Sequence, residues 1–180
     1  MLFFLPMSFL GGILTKITDD IADEKKAEKK MLGYAISLVY GTIVGFLMIS
    51  DPRFFVLILG IIIGNILYRR IDHLNHQLAF LPIALFIAYS SIPLGTNFLL
   101  AIVFAFGAFL DESLNQMADD RRKTRWHTSW IWKMGEYRLS LEVLTLIVSI
   151  VLWDPTYILL LASFDAGYIL SGKVFSKKLS

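Results

Sequence analysis

From Met31 to Ile49 the chain runs for nineteen residues without one acidic or basic side chain. A helix crosses the roughly 30 Å hydrocarbon layer of a bilayer in about 20 residues, with a range of about 17–25, so this stretch has the length of a membrane span. Six further segments come near it: Leu2–Thr18, Phe54–Tyr68, Leu78–Ser90, Asn97–Glu112, Leu139–Trp153 and Thr156–Gly172. In chain order the third, fourth and sixth of the seven are short, which allows a re-entrant or mismatched span. With 56% hydrophobic and only 18% charged residues, the chain has too few polar side chains to cover a water-soluble globule of its size. The expectation is an all-α polytopic bundle of about seven transmembrane helices, a single integral membrane domain over residues 1–180. Its localisation is a cell membrane, multi-pass, with the lipid bilayer as its first partner. The apolar start lacks a basic leading region and a small-residue cleavage site, so it is expected to stay as a helix and not to be removed as a secretory signal.

Charge gives the expected orientation, because basic residues gather in cytoplasmic loops. Lys16, Lys25, Lys26, Lys29 and Lys30 follow the first span; Arg69 and Arg70 follow the third; six more basic residues between Arg121 and Arg138 follow the fifth; Lys173, Lys177 and Lys178 follow the seventh. Of the seventeen basic residues only Arg53 falls on the other side. The amino terminus is therefore expected outside and the carboxyl terminus in the cytoplasm. Turns on the outer side carry proline: Ser50-Asp51-Pro52-Arg53, Ser91-Ile92-Pro93-Leu94-Gly95 and Trp153-Asp154-Pro155-Thr156. Gly41 and Gly45 in the second span and Gly60 and Gly64 in the third both have GxxxG spacing, which predicts a tight hairpin between those two helices or, alternatively, a dimer seam. Oligomeric state does not follow from either.

Acidic residues collect where helices are expected to end inside. The first ends in Asp19, Asp20, Asp23 and Glu24; the fifth in Asp111, Glu112, Asn115, Asp119 and Asp120; Asn65, Asp72, His73 and His76 lie at the end of the third. The macrodipole is negative at a helix carboxyl terminus and disfavours acids there by about 0.3–1 kcal/mol each. Either the neighbouring lysines and arginines compensate or a divalent cation does, and oxygen ligands of this kind suit magnesium or calcium better than zinc. Two carboxylate clusters on separate helices beside basic residues are what a magnesium-diphosphate site needs, with the metal bridging carboxylate and phosphate oxygens and Lys or Arg stabilising the leaving group. A solvated, salt-bridged pair of loops is the alternative.

The stretch Thr18-Asp19-Asp20-Ile21-Ala22-Asp23-Glu24 resembles the first Asp-rich motif of UbiA-type intramembrane prenyltransferases, roughly N-D-x-x-D-x-x-x-D. Asp19 stands at the Asn position, Asp20 and Asp23 match, and Ala27 replaces the last Asp. Glu112-x-x-Asn115-x-x-x-Asp119, followed by Asp120, Arg121 and Arg122, resembles the second motif, at the family's separation of four helices. The resemblance implies that Asp19, Asp20, Asp23, Glu112, Asn115 and Asp119 hold Mg2+ on a prenyl diphosphate or other isoprenoid lipid, and that Lys16, Arg121 and Arg122 contact the diphosphate. It implies nine spans where seven are read here, and it names no catalytic side chain.

Asp165 is a separate signal. It lies near the middle of the seventh span, where an ionisable residue costs about 2.5–3.5 kcal/mol on insertion scales. Protonation, or pairing with a polar residue such as Asn65, would relieve that cost. Three classes of function follow: a metal-dependent transferase at an acidic cavity between the first, third and fifth helices, a cation or proton transporter using Asp165, and a non-catalytic membrane protein whose charged loops contact partners. Glu142 reads as an i,i+4 partner of Arg138. The aromatic and basic loop carrying Trp126, His127, Trp130, Trp132 and Tyr137 reads as a segment in the headgroup region and not as a nucleic-acid interface. There is no Cys, hence no thiolate metal site, and no Gly-rich phosphate loop or nucleophile elbow.

Overall fold

The computed structural model describes residues 3–23, 29–68, 74–90, 92, 95–122 and 139–179, with side chains for all of these except 23, 118–122 and 175–179. Among the described residues the chain is all-helical: α1 (Phe4–Asp23), α2 (Lys30–Ser50), α3 (Pro52–Leu67), α4 (Leu74–Ser90), α5 (Phe98–Arg122), α6 (Ser140–Val151) and α7 (Thr156–Leu179). Three stretches are long and apolar enough to cross a membrane, namely α2, Phe98–Met117 of α5 and Thr156–Val174 of α7. The short expected spans are short helices: α3, α4 and α6 have 16, 17 and 12 residues, which at 1.5 Å per residue is about 24, 26 and 18 Å.

Three helices run on past their expected span ends. α1 continues past Thr18 to Asp23, α5 past Glu112 to Arg122, and α7 past Gly172 to Leu179. Once a helix is nucleated each further residue adds a hydrogen bond at little cost, so hydrophobicity ends before the helix does. The acids of α1 and α5 are therefore on helices, not in loops. At two of the turns an Asp-Pro pair starts the next helix. Asp51 Oδ1 accepts the Arg53 N–H at 2.8 Å and Asp154 Oδ1 accepts the Thr156 N–H at 3.0 Å, while the proline between sits where a missing N–H costs nothing. The Arg53 guanidinium also grips Asp51, at 2.8 and 2.6 Å, so this basic residue is neutralised locally. α6 ends with the Asp154 N–H on the Ser149 carbonyl (2.9 Å) and the Trp153 N–H on that of Ile150 (3.2 Å), with Trp153 at φ 52° in a left-handed position usually taken by glycine.

The chain divides into two compact units. The first (Met1–Phe55, Ile71–Thr96, Leu159–Ser180) holds α1, α2, α4 and most of α7; the second (Val56–Arg70, Asn97–Ile158) holds α5, α6 and most of α3. In the first, α1 and α7 run parallel and meet backbone to backbone: a Cβ on Gly12 would overlap the Phe164 carbonyl, and one on Gly167 the Phe9 carbonyl. Ser8 and Ser163 seal this seam by donating to the Leu160 and Leu5 carbonyls at 2.9 and 2.7 Å. α2 and α4 are also parallel, with Gly41 on Ala79 and Pro82 and Gly45 on Ile83 and Phe86. α1 and α2 are antiparallel, with Gly11 near Ile43 and Ile21 near Gly33. In the second unit α3 and α5 are parallel, Gly60 on Ala101 and Phe104 and Gly64 on Ala105 and Ala108, while α6 runs antiparallel to α5 with Leu144 on Gly107.

These contacts correct the expected hairpin between the two GxxxG helices. The Gly41/Gly45 face receives α4 and the Gly60/Gly64 face receives α5. Spacing makes a flat face and leaves its partner open; parallel neighbours took both faces. Within each unit, helices of like parity run parallel and helices of unlike parity antiparallel, as a chain passing back and forth requires.

Buried and exposed residues are distributed as lipid would have them. Thr18, Ser37, Thr145 and Ser171 are among the most deeply buried side chains, whereas Leu85, Leu99, Ile102 and Ile150 are each more than 60% exposed. Small polar residues between helices, beside the deeply buried Phe104, Met48 and Leu57, with other bulky aliphatic residues outside, fit helices that pack closely on one another within lipid. Thr18 and Ser37 return their hydroxyls to carbonyls one turn back, at 2.9 and 2.7 Å.

The α1–α7 seam predicts opposite outcomes at adjacent glycines. Gly12→Ala forces two backbones apart and is expected to destabilise the detergent-purified protein by about 1–3 kcal/mol, whereas Gly11→Ala adds only ordinary contacts at 3.8 Å to Ile43 and Phe164. Equal melting temperatures for the two variants would contradict the seam.

Candidate functional site

The last turns of α1 put Lys16, Asp19 and Asp20 at a helix carboxyl terminus, where two acids need compensation. Both receive it from side chains. Lys16 Nζ lies 2.8 Å from Asp20 Oδ1, a pair one turn apart. The lysine is steered by α7: its Cε passes 3.2 Å from where a Cβ on Gly172 would stand, and its Nζ is 5.4 Å from the centre of the Tyr168 ring.

Asp19 faces the other helices of its unit. The Tyr168 hydroxyl donates to Asp19 Oδ2 at 2.7 Å, and His76 Nε2, on the first turn of α4, lies 2.9 Å from Asp19 Oδ1. His76 Nδ1 is 3.1 Å from the Tyr40 hydroxyl on α2. The chain Tyr40–His76–Asp19–Tyr168 thus joins α2, α4, α1 and α7. It is satisfied in either charge state of the imidazole. In the neutral tautomer with hydrogen on Nε2, His76 donates to Asp19 and accepts from Tyr40; as imidazolium it donates to both.

Asp20 differs from its neighbour. Its Oδ2 is buried and has no hydrogen-bond partner among the described residues. An ionised carboxylate oxygen removed from water calls for a donor or a cation. One carboxylate is thus closed by two side chains and the next holds one oxygen open beside an ammonium.

Of the residues expected from sequence to form a site, Lys16, Asp19 and Asp20 come together. Asp23 is the last residue of α1, and Asp119, Arg121 and Arg122 lie on the last turns of α5; their side chains are outside the described residues, as are Asp72, His73, the Trp126–Tyr137 segment and Arg138, the expected partner of Glu142. Glu112 is buried and Asn115 half-buried on α5, in the second unit. Asp111, one residue earlier, accepts the Ser140 N–H at 2.9 Å and so caps the start of α6, a structural task that takes it out of the expected acidic stripe. Asn65 is half-buried in the second unit; Asp165 is half-buried in the first, with Oδ2 shielded from solvent. Among the described residues no three His, Asp or Glu side chains group as metal ligands.

Sequence reasoning passed over Tyr40 and Tyr168. Their signal was present: each is a hydroxyl inside an apolar span, adjacent to a contact glycine (Tyr40-Gly41 and Gly167-Tyr168), where a buried phenol requires a partner. No family model, curated protein or solved structure matches the chain.

Tyr168→Phe is expected to cost about 1–2 kcal/mol, since hydrogen bonds to charged groups contribute about 1.5–3 and Asp19 is partly exposed. In an Asp19→Asn background the same substitution should cost less. Additive melting shifts in the double variant would show that the two groups do not interact.

Proposed function

We propose that the chain is a multi-pass integral membrane protein, seven helices threading a cell membrane with the amino terminus outside, in which the Lys16–Asp20 end of α1 holds the diphosphate head of a prenyl or other isoprenoid lipid for magnesium-dependent transfer. Support for the membrane half comes from three helices, among the described residues, long and apolar enough to cross a membrane, alternating helix direction within each unit, aliphatic residues on the outside, and sixteen of seventeen basic residues on one side of the expected spans. Support for the head-group half rests on one observation above others, the open and buried Asp20 Oδ2 beside Lys16.

That oxygen fits a magnesium ion, which is commonly held by one or two carboxylates with phosphate oxygens and water completing its shell. Asp20 would be one ligand and Asp23, one turn on, the next. When bound, the metal would spread the charge that collects on the diphosphate as its bond to the prenyl carbon breaks. Lys16 brings an ammonium to the same place and, once a ligand arrives, can turn from Asp20 to a phosphate oxygen. Asp19 acts differently from the equal ligand implied by the UbiA-type resemblance: with both oxygens engaged, it fixes α1 against α4 and α7 and so positions Asp20.

A second reading, proton or cation handling, is favoured by the Tyr40–His76–Asp19–Tyr168 chain, which can take up a proton on His76 without losing a hydrogen bond. It moves the working acid of a transporter from Asp165 to Asp19.

Thermal unfolding in detergent separates the two. A long-chain prenyl diphosphate with magnesium at ~100 times the dissociation constant should stabilise the protein by ~2.7 kcal/mol; neither alone should do so, and Asp20→Asn should abolish the shift while Asp165→Asn keeps it. No shift under any combination sinks the diphosphate reading. For the second, proteoliposomes loaded with a pH-sensitive dye should lose proton flux in His76→Gln and Asp19→Asn but not in Asp20→Asn; flux unchanged in all three rules it out.

A further inference from the structure

We infer that the chain is a tandem duplication of a three-helix repeat, α1–α3 and α5–α7, in which each repeat contributes its third helix to the unit built on the other's first. The evidence begins in the sequence. Residues 30–67 and 133–170 align without a gap at a constant separation of 103, and twelve of the 38 pairs are identical. Many of the identities are not the aliphatic residues that two membrane spans share by composition: Lys30/Lys133, Tyr34/Tyr137, Ser37/Ser140, Thr42/Thr145, the Asp51-Pro52/Asp154-Pro155 turn and Gly64/Gly167. Residues 4–20 and 104–120 align at a separation of 100, with six of 17 identical, among them Phe9/Phe109 and the pairs Asp19-Asp20/Asp119-Asp120. The change from 100 to 103 places three extra residues in the connection between the first and second helices of the later copy.

Each unit taken by itself repeats the same construction. The first contains α1, α2 and α7, the second α5, α6 and α3, which are equivalent helices under the alignment. In both, the first helix lies antiparallel to the second and parallel to the third helix of the other repeat. The aligned glycines both press on the backbone of the first helix, within one turn of equivalent positions: a Cβ on Gly64 would stand 2.6 Å from the Ala105 carbonyl and 3.0 Å from the Phe109 nitrogen, and one on Gly167 would overlap the carbonyl of Phe9, the equivalent of Phe109. One turn earlier the aligned residues show the same relation, with the Ala101 carbonyl 2.7 Å from a Cβ on Gly60. A Cβ on Gly60 would stand 3.0 Å from the Ala105 nitrogen, and Ser163 donates to the carbonyl of Leu5, the equivalent of Ala105. The aligned aspartates start the third helix in the same way, each accepting the N–H two residues on. Two helical hairpins chosen only for apolarity would not share turn chemistry, contact glycines and helix direction at one alignment.

α4 belongs to neither repeat, and it is the helix that carries His76. The equivalents of Lys16, Asp19, Asp20 and Tyr168 are Gln116, Asp119, Asp120 and Asn65. The site on α1 is therefore one of two copies of an ancestral acidic helix end, and of the two this copy has the lysine, the tyrosine and the histidine. The counterpart of Asp20 is Asp120, whereas Glu112 and Asn115 stand at the positions of Gly12 and Thr15.

The register can be tested by transplanting a third helix. A full-length chain with residues 155–170 replaced by residues 52–67 brings Pro52 to position 155, Leu57 to 160 and Gly64 to 167. It is expected to purify as a monodisperse species with a cooperative melt. Replacing the same span by residues 50–65 puts Ile62 at position 167, against the Phe9 carbonyl, and should give no cooperative melt. If the two chimeras behave alike, the duplication is overturned. The absence of cysteine permits a second measurement in the otherwise native chain. Ser171 donates to the Ile13 carbonyl at 3.4 Å, and the equivalent pair is Tyr68 and Ser113. Ser171→Cys with Ile13→Cys and Tyr68→Cys with Ser113→Cys should both be joined by a short bifunctional thiol reagent; linkage of the first pair alone contradicts the repeat.

Discussion

The acidic end of α1 depends first on how closely α1 and α7 approach. In lipid an apolar side chain gains little by exchanging acyl chains for another helix, so association depends on short-range packing, which falls off steeply once a gap opens. Gly12 and Gly167 remove the two side chains that would stand between the backbones. Ser8 and Ser163 then reach the opposite carbonyls because those carbonyls are near enough to be reached. The seam also sets the height of α7 against α1, and that height puts Gly172 beside the stem of Lys16 and the Tyr168 hydroxyl on Asp19. A wider seam would loosen the helices and separate these groups together.

The polar cluster is thus a product of packing as much as of polar residues. Tyr168 follows a contact glycine and Tyr40 precedes one, so each ring lies at the edge of a close crossing and projects along it. Gly41 and Gly45 bring α4 down on α2, and with it His76 within reach of Tyr40. Four helices meet at two side chains, Asp19 and His76. A network in which every member has its partner specifies one arrangement of those helices, since any slippage leaves a buried polar group exposed to lipid.

Much of the fold was legible in the chain and some of the site was not, for physical reasons that particular residues illustrate. Among the described residues each uncharged stretch is a helix in the expected place, because apolar length is a local property. Their ends were misplaced at Thr18, Glu112 and Gly172, since the helix and its hydrophobicity stop for different reasons. The glycine motifs announced close packing but not its partner, because nothing in Gly41-x-x-x-Gly45 distinguishes the next helix from the one after. Lys16, Asp19 and Asp20 were readable as a cluster within two turns of one helix. Their long-range partners, Tyr168 at 149 residues' separation from Asp19 and Tyr40 at 36 from His76, depend on which helices touch. Asp111 shows the converse: its helix position suggested a ligand, and a neighbouring helix start claimed it as a cap.

Asp19 and Asp20 are consecutive residues of the same kind, yet their surroundings assign them different work. A step of one residue turns a side chain about 100° around a helix, so Asp19 looks towards α4 and α7 while Asp20 falls back on Lys16 of its own helix. Hydroxyl and imidazole donors close the first and hold it in place. An ammonium on a flexible stem attends the second, and that partner can leave when a stronger anion arrives. A helix end built only for stability would gain by closing both carboxylates or by replacing one of them, because the macrodipole there opposes each negative charge. Retaining a second acid with one oxygen buried and open is a cost that a bound cation would offset. The same reasoning makes Asp19, whose substitution should disturb α1, α4 and α7 at once, the support on which the position of Asp20 depends.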